Sequence, residues 1–377
     1  MNVEGKINVQ VLAEIEHLKV HGRTTESRNP LTLFWTGSGI ELNARGTELW
    51  LEVEISYDSY EPWISILIND AKVSRIMLTR GRYWICVFRG MNGETVKNVR
   101  VIKDVQAMSD DSECSLKLHA VKFDGEFLPV EDKPYKIEFI GDSITSGEGA
   151  IGAKQEEDWI PMWFSALDNY STMTAKLLNA DYRILSQSGW GVLTSWDNNP
   201  NNNLPKNYEK VCGVLSGTNN EALGAFTAND FTKWQPDIIV VNLGTNDEAA
   251  FYTDKWRDDI TEEVYKQRLN EDGTFHEEDL RVFEKAIESF LGKLRYYNNG
   301  AHIVWAYGMM GITMMPAIYR AVDHYIQDTG DKKVSVFQLP ETTQDTLGAR
   351  EHPGILAHEN AAKELAQYLK QFLGEKK

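Results

Sequence analysis

Between Leu49 and Ser56 apolar and polar residues alternate strictly, with Leu49, Leu51, Val53 and Ile55 set against Trp50, Glu52, Glu54 and Ser56. A period of two is the mark of a strand with one face on a core, because successive side chains point to opposite sides. Residues 63–68, 83–88, 99–102 and 116–121 are further short runs rich in β-branched and aromatic residues. Asn69-Asp70, Arg80-Gly81-Arg82, Met91-Asn92-Gly93 and Asp124-Gly125 punctuate them as turns. Many short strands with little helical periodicity predict an all-β sandwich over residues 1–130.

At Lys136 the rhythm changes. Strand-like runs at 137–140, 182–185, 238–243, 302–306 and 334–337 now alternate with helical patterns. Tyr170, Met173, Leu177 and Leu178 share one helical face, with Asp168 or Asn169 placed to cap its start. Val282, Phe283, Ile287, Phe290, Leu291 and Leu294 mark a longer helix, and Leu365, Tyr368, Leu369 and Phe372 stripe the last one. Alternating β and α segments predict an α/β domain with a parallel, doubly wound sheet over residues 135–377. The stretch from Pro129 to Pro134, charged between its prolines, is the join.

Composition narrows the class. A chain of 377 residues is long for one domain and comfortable for two. No apolar run approaches the roughly 20 residues needed to span a bilayer. The N-terminal residues lack the basic-then-apolar layout of a secretory signal, so a cytoplasmic location is expected; a leader removed beforehand would leave the same sequence. Cys86, Cys114 and Cys212 are odd in number and far apart, as in a disulfide-free protein of a reducing compartment. A formal net charge of −17 argues against nucleic acid or a membrane surface as partner and suits a neutral substrate such as a sugar.

The candidate chemistry begins at residues 137–149, Ile-Glu-Phe-Ile-Gly-Asp-Ser-Ile-Thr-Ser-Gly-Glu-Gly. An apolar strand running into Gly141-Asp142-Ser143 puts a hydroxyl at the carboxyl end of a strand, where open α/β sheets build their sites. Ser143 is the candidate nucleophile, and Asp142 is expected to fix its turn by hydrogen bonding. Three more motifs occupy strand ends or helix starts: residues 186–191 (Ser-Gln-Ser-Gly-Trp-Gly), Gly244-Thr245-Asn246-Asp247, and His352-Pro353-Gly354. Attack on an ester carbonyl puts negative charge on its oxygen, which donors already aimed there stabilise. The Ser143 and Gly191 backbone N–H groups and the Asn246 side-chain amide are the candidate oxyanion hole, with Gly189 a rival to Gly191. His352 would take the serine proton and return it to the leaving alcohol.

Taken in this order, the four blocks resemble those of SGNH hydrolases. The whole chain more narrowly resembles the two-domain acetyl esterases of carbohydrate esterase family two. The resemblance implies a jelly-roll sandwich followed by a flavodoxin-like SGNH domain, with Ser143 as nucleophile, His352 as base, and Gly191 with Asn246 in the oxyanion hole. SGNH hydrolases usually carry Asp three residues before the histidine; here that residue is Ala349. The family-two resemblance implies instead a Ser–His dyad, a carbonyl near Ala349 or Arg350 accepting from His352 Nδ1–H. Glu351 is second choice because neighbouring side chains diverge, and Asp345 would need a returning loop.

The expected substrate is thus an acetylated oligosaccharide or polysaccharide of xylan or mannan type, a choice that the resemblance supplies. Trp159, Trp163, Trp190 and Trp196 are candidate sugar-stacking residues, whereas most of the 11 tryptophans are expected in the core. His358, on the last helix, is expected to be structural or exposed, and Met309, Met310, Met314 and Met315 to fill gaps in the core rather than line an adaptable pocket wall. No metal or cofactor is expected: His-Glu-x-x-His, cysteine ligand spacing and a phosphate loop are all absent. Two rival readings are an SGNH esterase or thioesterase for a lipid or other small ester, and a carbohydrate-binding protein with a decayed site.

Overall fold

The computed structural model describes residues 7–374. The chain divides into two units: one runs up to Asp132 and takes in Ile160–Met162 and Lys210–Asn229, the other holds Lys133–Trp159, Trp163–Glu209 and the chain from Asp230 on.

The first unit is an antiparallel β-sandwich. In one sheet the strands run Asn8–Val11, Ser115–Phe123, Glu48–Ser56, Gly81–Arg89, with Leu31–Thr32 also paired to Ser115–Phe123. In the other they run Glu126–Leu128, Gly39–Arg45, Val96–Lys103, Trp63–Ile68, Ala71–Met77, with Lys19–His21 on Gly39–Arg45. Leu49, Leu51, Val53 and Ile55 face inward, as their alternation requires, and join Leu42, Ile66, Val101 and Leu118 in one core. The returning segment Lys210–Asn229 is tied in by backbone carbonyls: Val211 accepts from the buried Trp35 indole at 2.6 Å and Lys210 from Arg23 at 3.3 Å.

The second unit is an α/β fold. Its five parallel strands stand in the order Ala180–Ser186, Tyr135–Gly141, Ile238–Asn242, His302–Tyr307, Val334–Gln338. Every residue of Ile238–Asn242 is buried, so both faces of the sheet are covered and the strand reads as a continuous apolar run. Tyr170–Leu177 and Ile355–Leu369 pack together, and their buried residues join the core around Phe139, Ile184 and Val240. Glu277–Tyr297 and Met315–Thr329 form a second helical pair. In chain order the strands read 2-1-3-4-5. The order reverses between Tyr135–Gly141 and Ile238–Asn242, which opens a crevice beyond their carboxyl ends.

Two residues leave the faces that periodicity assigned to them. Leu177, 54% exposed, is the last residue of its helix, where the turn unwinds. Val282, 46% exposed, stands one step off the buried stripe and with Ala286, Ser289 and Lys293 lines a surface groove of about 370 Å³.

Candidate active site

Gly141 closes the strand Tyr135–Gly141, and a Cβ there would overlap Thr145 and the carbonyl of Asn242, so only glycine passes. The chain turns at once into the short helix Ser143–Ser146. Asp142 caps it, its Oδ1 accepting the Ile144 N–H at 3.0 Å. Burial pushes the Asp142 carboxyl up to about 7 against that hydrogen bond, and the nearby Asp247 adds to the effect.

Ser143 is buried, and its Oγ lies 2.9 Å from Nε2 of His352, 209 residues away in sequence. His352 follows the short turn Ala349–Glu351, and its Nδ1 lies 2.7 Å from the carbonyl oxygen of Arg350. A carbonyl can only accept, so Nδ1 carries the hydrogen and Nε2 of the neutral ring is free to accept from Ser143 Oγ–H. Arg350 is one of the two residues near which the family-two resemblance placed that carbonyl. Glu351 and Asp345, the carboxylates ranked behind it, are exposed. A different carboxylate, Glu148, does approach the ring: its Oε1 is 3.9 Å from Nε2 and 2.9 Å from Arg350 Nε, and its side chain is 3% exposed.

The glycine block and the Asn246 loop meet beside this pair. Asn246 donates from Nδ2 to the Trp190 carbonyl at 3.1 Å, with a long contact of 3.4 Å to Asp142 Oδ2. One amide therefore spans the nucleophile turn and the glycine block. Its neighbour Asp247 holds the next segment: Oδ2 accepts from Val192 N–H at 2.9 Å, Oδ1 from Leu193 at 2.8 Å and Thr194 at 3.1 Å. A Cβ on Gly191 would strike that carboxylate, which explains the glycine there. Gly189, the rival donor, has φ of 79°, and a Cβ there would come within 3.0 Å of Trp196 Cδ1. Asp247 is fully buried, and burial pushes its carboxyl up to about 6 although three N–H donors oppose this. Sequence reasoning passed over Asp247; the signal was an acidic residue in the first turn of Thr245–Tyr252, directly after Asn246.

The four tryptophans have different surroundings. Trp196 is 53% exposed. Trp190 is buried and contributes its carbonyl rather than its ring. Trp159 is half-buried with its edge on Phe164, and Trp163 is half-buried with its indole nitrogen inside and without a hydrogen-bond partner. His358 is buried, accepts the Tyr170 N–H at 3.2 Å and stacks on that ring; burial and the neighbouring His352 bring its pKa down to about 3. Met309, Met314 and Met315 are core residues, while Met310 is 37% exposed. Among the described residues no group of three or more His, Cys, Asp and Glu side chains is placed to hold a metal ion.

Comparison with known proteins places this geometry among relatives. The family described as GDSL-like lipase/acylhydrolase matches residues 137–368. An acetyl xylan esterase structure from the rumen bacterium Butyrivibrio proteoclasticus aligns with a TM-score of 0.95 at 46% identity, over 97% of this chain and 98% of that one. A family two carbohydrate esterase from Clostridium thermocellum, in complex with cellohexaose, shares the fold with a TM-score of 0.78 at 23% identity, over 94% and 100% of the two chains. An acetylxylan esterase/glucomannan deacetylase of Cellvibrio japonicus is 29% identical over 250 residues, 65% of each chain. The chain spans 65% of that protein's length and 37% of another curated relative's.

Proposed function

Because the chain belongs to the GDSL-like lipase/acylhydrolase family, we propose that it is a serine esterase removing O-acetyl groups from acetylated plant polysaccharides or oligosaccharides. The observation that carries the reading is the hydrogen-bonded chain from Ser143 Oγ through the His352 ring to the Arg350 carbonyl, at 2.9 and 2.7 Å. In that tautomer Nε2 takes the hydroxyl proton as Oγ bonds to the acetyl carbon. The carbonyl oxygen becomes an oxyanion, for which the Ser143 and Gly191 N–H groups and the Asn246 amide are the proposed donors. Collapse breaks the bond to the sugar oxygen, which leaves with the proton held on Nε2. Water then loses a proton to Nε2 and attacks the acetyl-serine; acetate departs and Ser143 recovers its hydrogen. His352 thus works in a Ser–His dyad, with a main-chain carbonyl where a triad has a carboxylate.

The sugar substrate follows from the relatives' own activities, named as acetyl xylan esterase and acetylxylan esterase/glucomannan deacetylase. Xylan or mannan is accordingly the proposed backbone. Trp196, half-exposed and adjacent to Gly189 of the glycine block, is the best-placed stacking platform among the four tryptophans. A net charge of −17 suits a neutral glycan and disfavours an anionic one.

The test is acetate release from acetylated xylan and acetylated glucomannan by the wild type and by Ser143→Ala. The wild type should release acetate, and the variant should lose roughly three orders of magnitude or more in kcat. An unchanged rate in the variant would remove the mechanism. Cleavage of long-chain acyl esters with no action on acetylated glycans would favour the lipid-ester reading instead.

A further inference from the structure

Arg350 and Glu351 both sit in the left-handed region, at φ of 56° and 55°. Larger side chains are disfavoured there by contact with the backbone, and two in succession must be held by their surroundings. Arg350 is gripped at three points. Its backbone N–H donates to the Glu156 carbonyl at 2.7 Å, Nη1 to the Glu157 carbonyl at 2.8 Å, and Nε to the Glu148 carboxylate at 2.9 Å. Glu148 in turn donates its backbone N–H to the Ser143 carbonyl at 3.0 Å. One segment, leaving the nucleophile, therefore fixes the residue whose carbonyl receives the His352 Nδ1–H.

We propose that the Glu148–Arg350 ion pair, its carboxylate buried and its guanidinium part-exposed, is the positioning element for His352. It locks the left-handed turn that aims the Arg350 carbonyl at Nδ1, taking over the orienting task of the carboxylate that Ala349 lacks. This rests on the serine–histidine reading of the site. Neither residue is catalytic; both act through the imidazole. A buried carboxylate is costly without a partner, so the pair holds together, and its guanidinium fork is directional where a lysine would not be. The same two segments are also joined by Lys154, whose ammonium donates to the Gln344 carbonyl and side chain at 2.9 and 2.8 Å on the exposed surface. That link does not touch the turn, which makes it the control.

Glu148→Gln and Arg350→Ala should each lower kcat roughly ten- to a hundredfold, the scale of losing a well-placed general base in part. KM should stay within about twofold, since the interaction serves the reacting proton rather than ground-state binding. The double variant should be no worse than the poorer single one, Arg350→Lys should fall between Arg350→Ala and wild type, and Lys154→Ala should match wild type. In protein labelled with ¹⁵N-histidine, the Nδ1–H signal missing from His352→Gln should be seen in wild type and lost to solvent exchange in Glu148→Gln and Arg350→Ala. Wild-type kcat with that signal intact in both variants would overturn the proposal, as would equal losses in Lys154→Ala. If Arg350→Ala does not fold, Glu148→Gln decides alone, because it keeps the side-chain volume and an acceptor for Nε. Ser143→Ala separates the two levels: full turnover there defeats the serine–histidine reading itself, whereas an inactive Ser143→Ala beside wild-type pair variants defeats only the positioning role.

Discussion

Asp247 gathers more of the site's geometry than any other single side chain outside the Ser143–His352 pair. Three consecutive N–H groups, from Val192, Leu193 and Thr194, converge on its two oxygens inside the protein. They set the course of the chain just after Gly191, the proposed oxyanion donor. Removing the carboxylate leaves those donors buried and unmet, at about 1–3 kcal/mol for each that water does not reach. Asp247→Ala should therefore cost stability and, by letting the segment drift, lower kcat roughly a hundredfold, the scale of one lost oxyanion donor. Asp247→Asn keeps the oxygen that Leu193 and Thr194 share and gives up the one facing Val192, so it should fall between the two. Steady-state kcat and KM on a small acetyl ester, beside urea melts, read both effects. An alanine variant with wild-type kcat would show that Gly191 needs no such support.

At the level of elements, the helix Tyr170–Leu177 is tied to the nucleophile turn by one residue. Asn169 caps it by accepting the Ser171 N–H at 2.8 Å, and its amide donates to the carbonyls of Ile144 and Thr145 at 3.1 and 2.8 Å. Those carbonyls end the helix that carries Ser143, so the cap of one element terminates the other. Asn169→Ala should cost about 2–3 kcal/mol in urea melts, more than an exposed cap, because it strands buried partners as well; a loss below about 1 kcal/mol would deny the double role. Asn169 was one of two caps that the helical pattern allowed, and the five strands of the parallel sheet were legible, the buried ones as apolar runs and the half-exposed Val334–Gln338 from its place in the alternation of strands and helices. Gly39–Arg45 was not singled out as a strand. Its alternation is regular, Ile40, Leu42 and Ala44 entering the core against Glu41, Asn43 and Arg45, but it is short and lies among the turn-rich residues of the first 50. Glu41, on the other face, is buried because His21 and Asn98 partner it. Nor was the Ala349–Glu351 turn foreseeable in its left-handed form, since Arg and Glu carry no local preference for φ above zero and the contacts that hold Arg350, to Glu148, Glu156 and Glu157, come from about 200 residues away in sequence. Ser143, His352, Gly191 and Asn246 could be nominated because each sits beside a strand end or helix start in a short motif. Asp247 and Glu148 bond to distant backbone and side chains, which adjacency in sequence does not reveal.

Across the molecule, buried carboxylates in the two units respond to pH in opposite senses. Asp142 in the α/β unit has a folded pKa raised to about 7, chiefly by burial. The folded form then holds the proton more tightly than the unfolded chain, so that group favours folding at low pH and loses its contribution as pH rises toward 7. Glu41 in the sandwich goes the other way. Burial pushes its carboxyl up, but the bond from His21 at 2.8 Å, with Asn98 and Arg100, more than offsets this and brings it to about 2. Its contribution is complete above the unfolded value of 4.5 and is lost as pH falls from there toward 2. A shift of that size corresponds to about 3 kcal/mol. Other carboxylates with lowered values, among them Asp111 and Asp124, also weaken the fold in acid, so total stability does not isolate Glu41. The difference between wild type and Glu41→Gln does. It should be largest near neutral pH, begin to shrink below about pH 5 and approach a minimum near pH 2, because the amide does not titrate. Urea unfolding of both proteins at several pH values, followed by a signal from the sandwich strands, measures that difference. A gap that stays constant from pH 6 to about pH 2.5 would mean that the His21–Glu41 pair contributes through packing rather than charge.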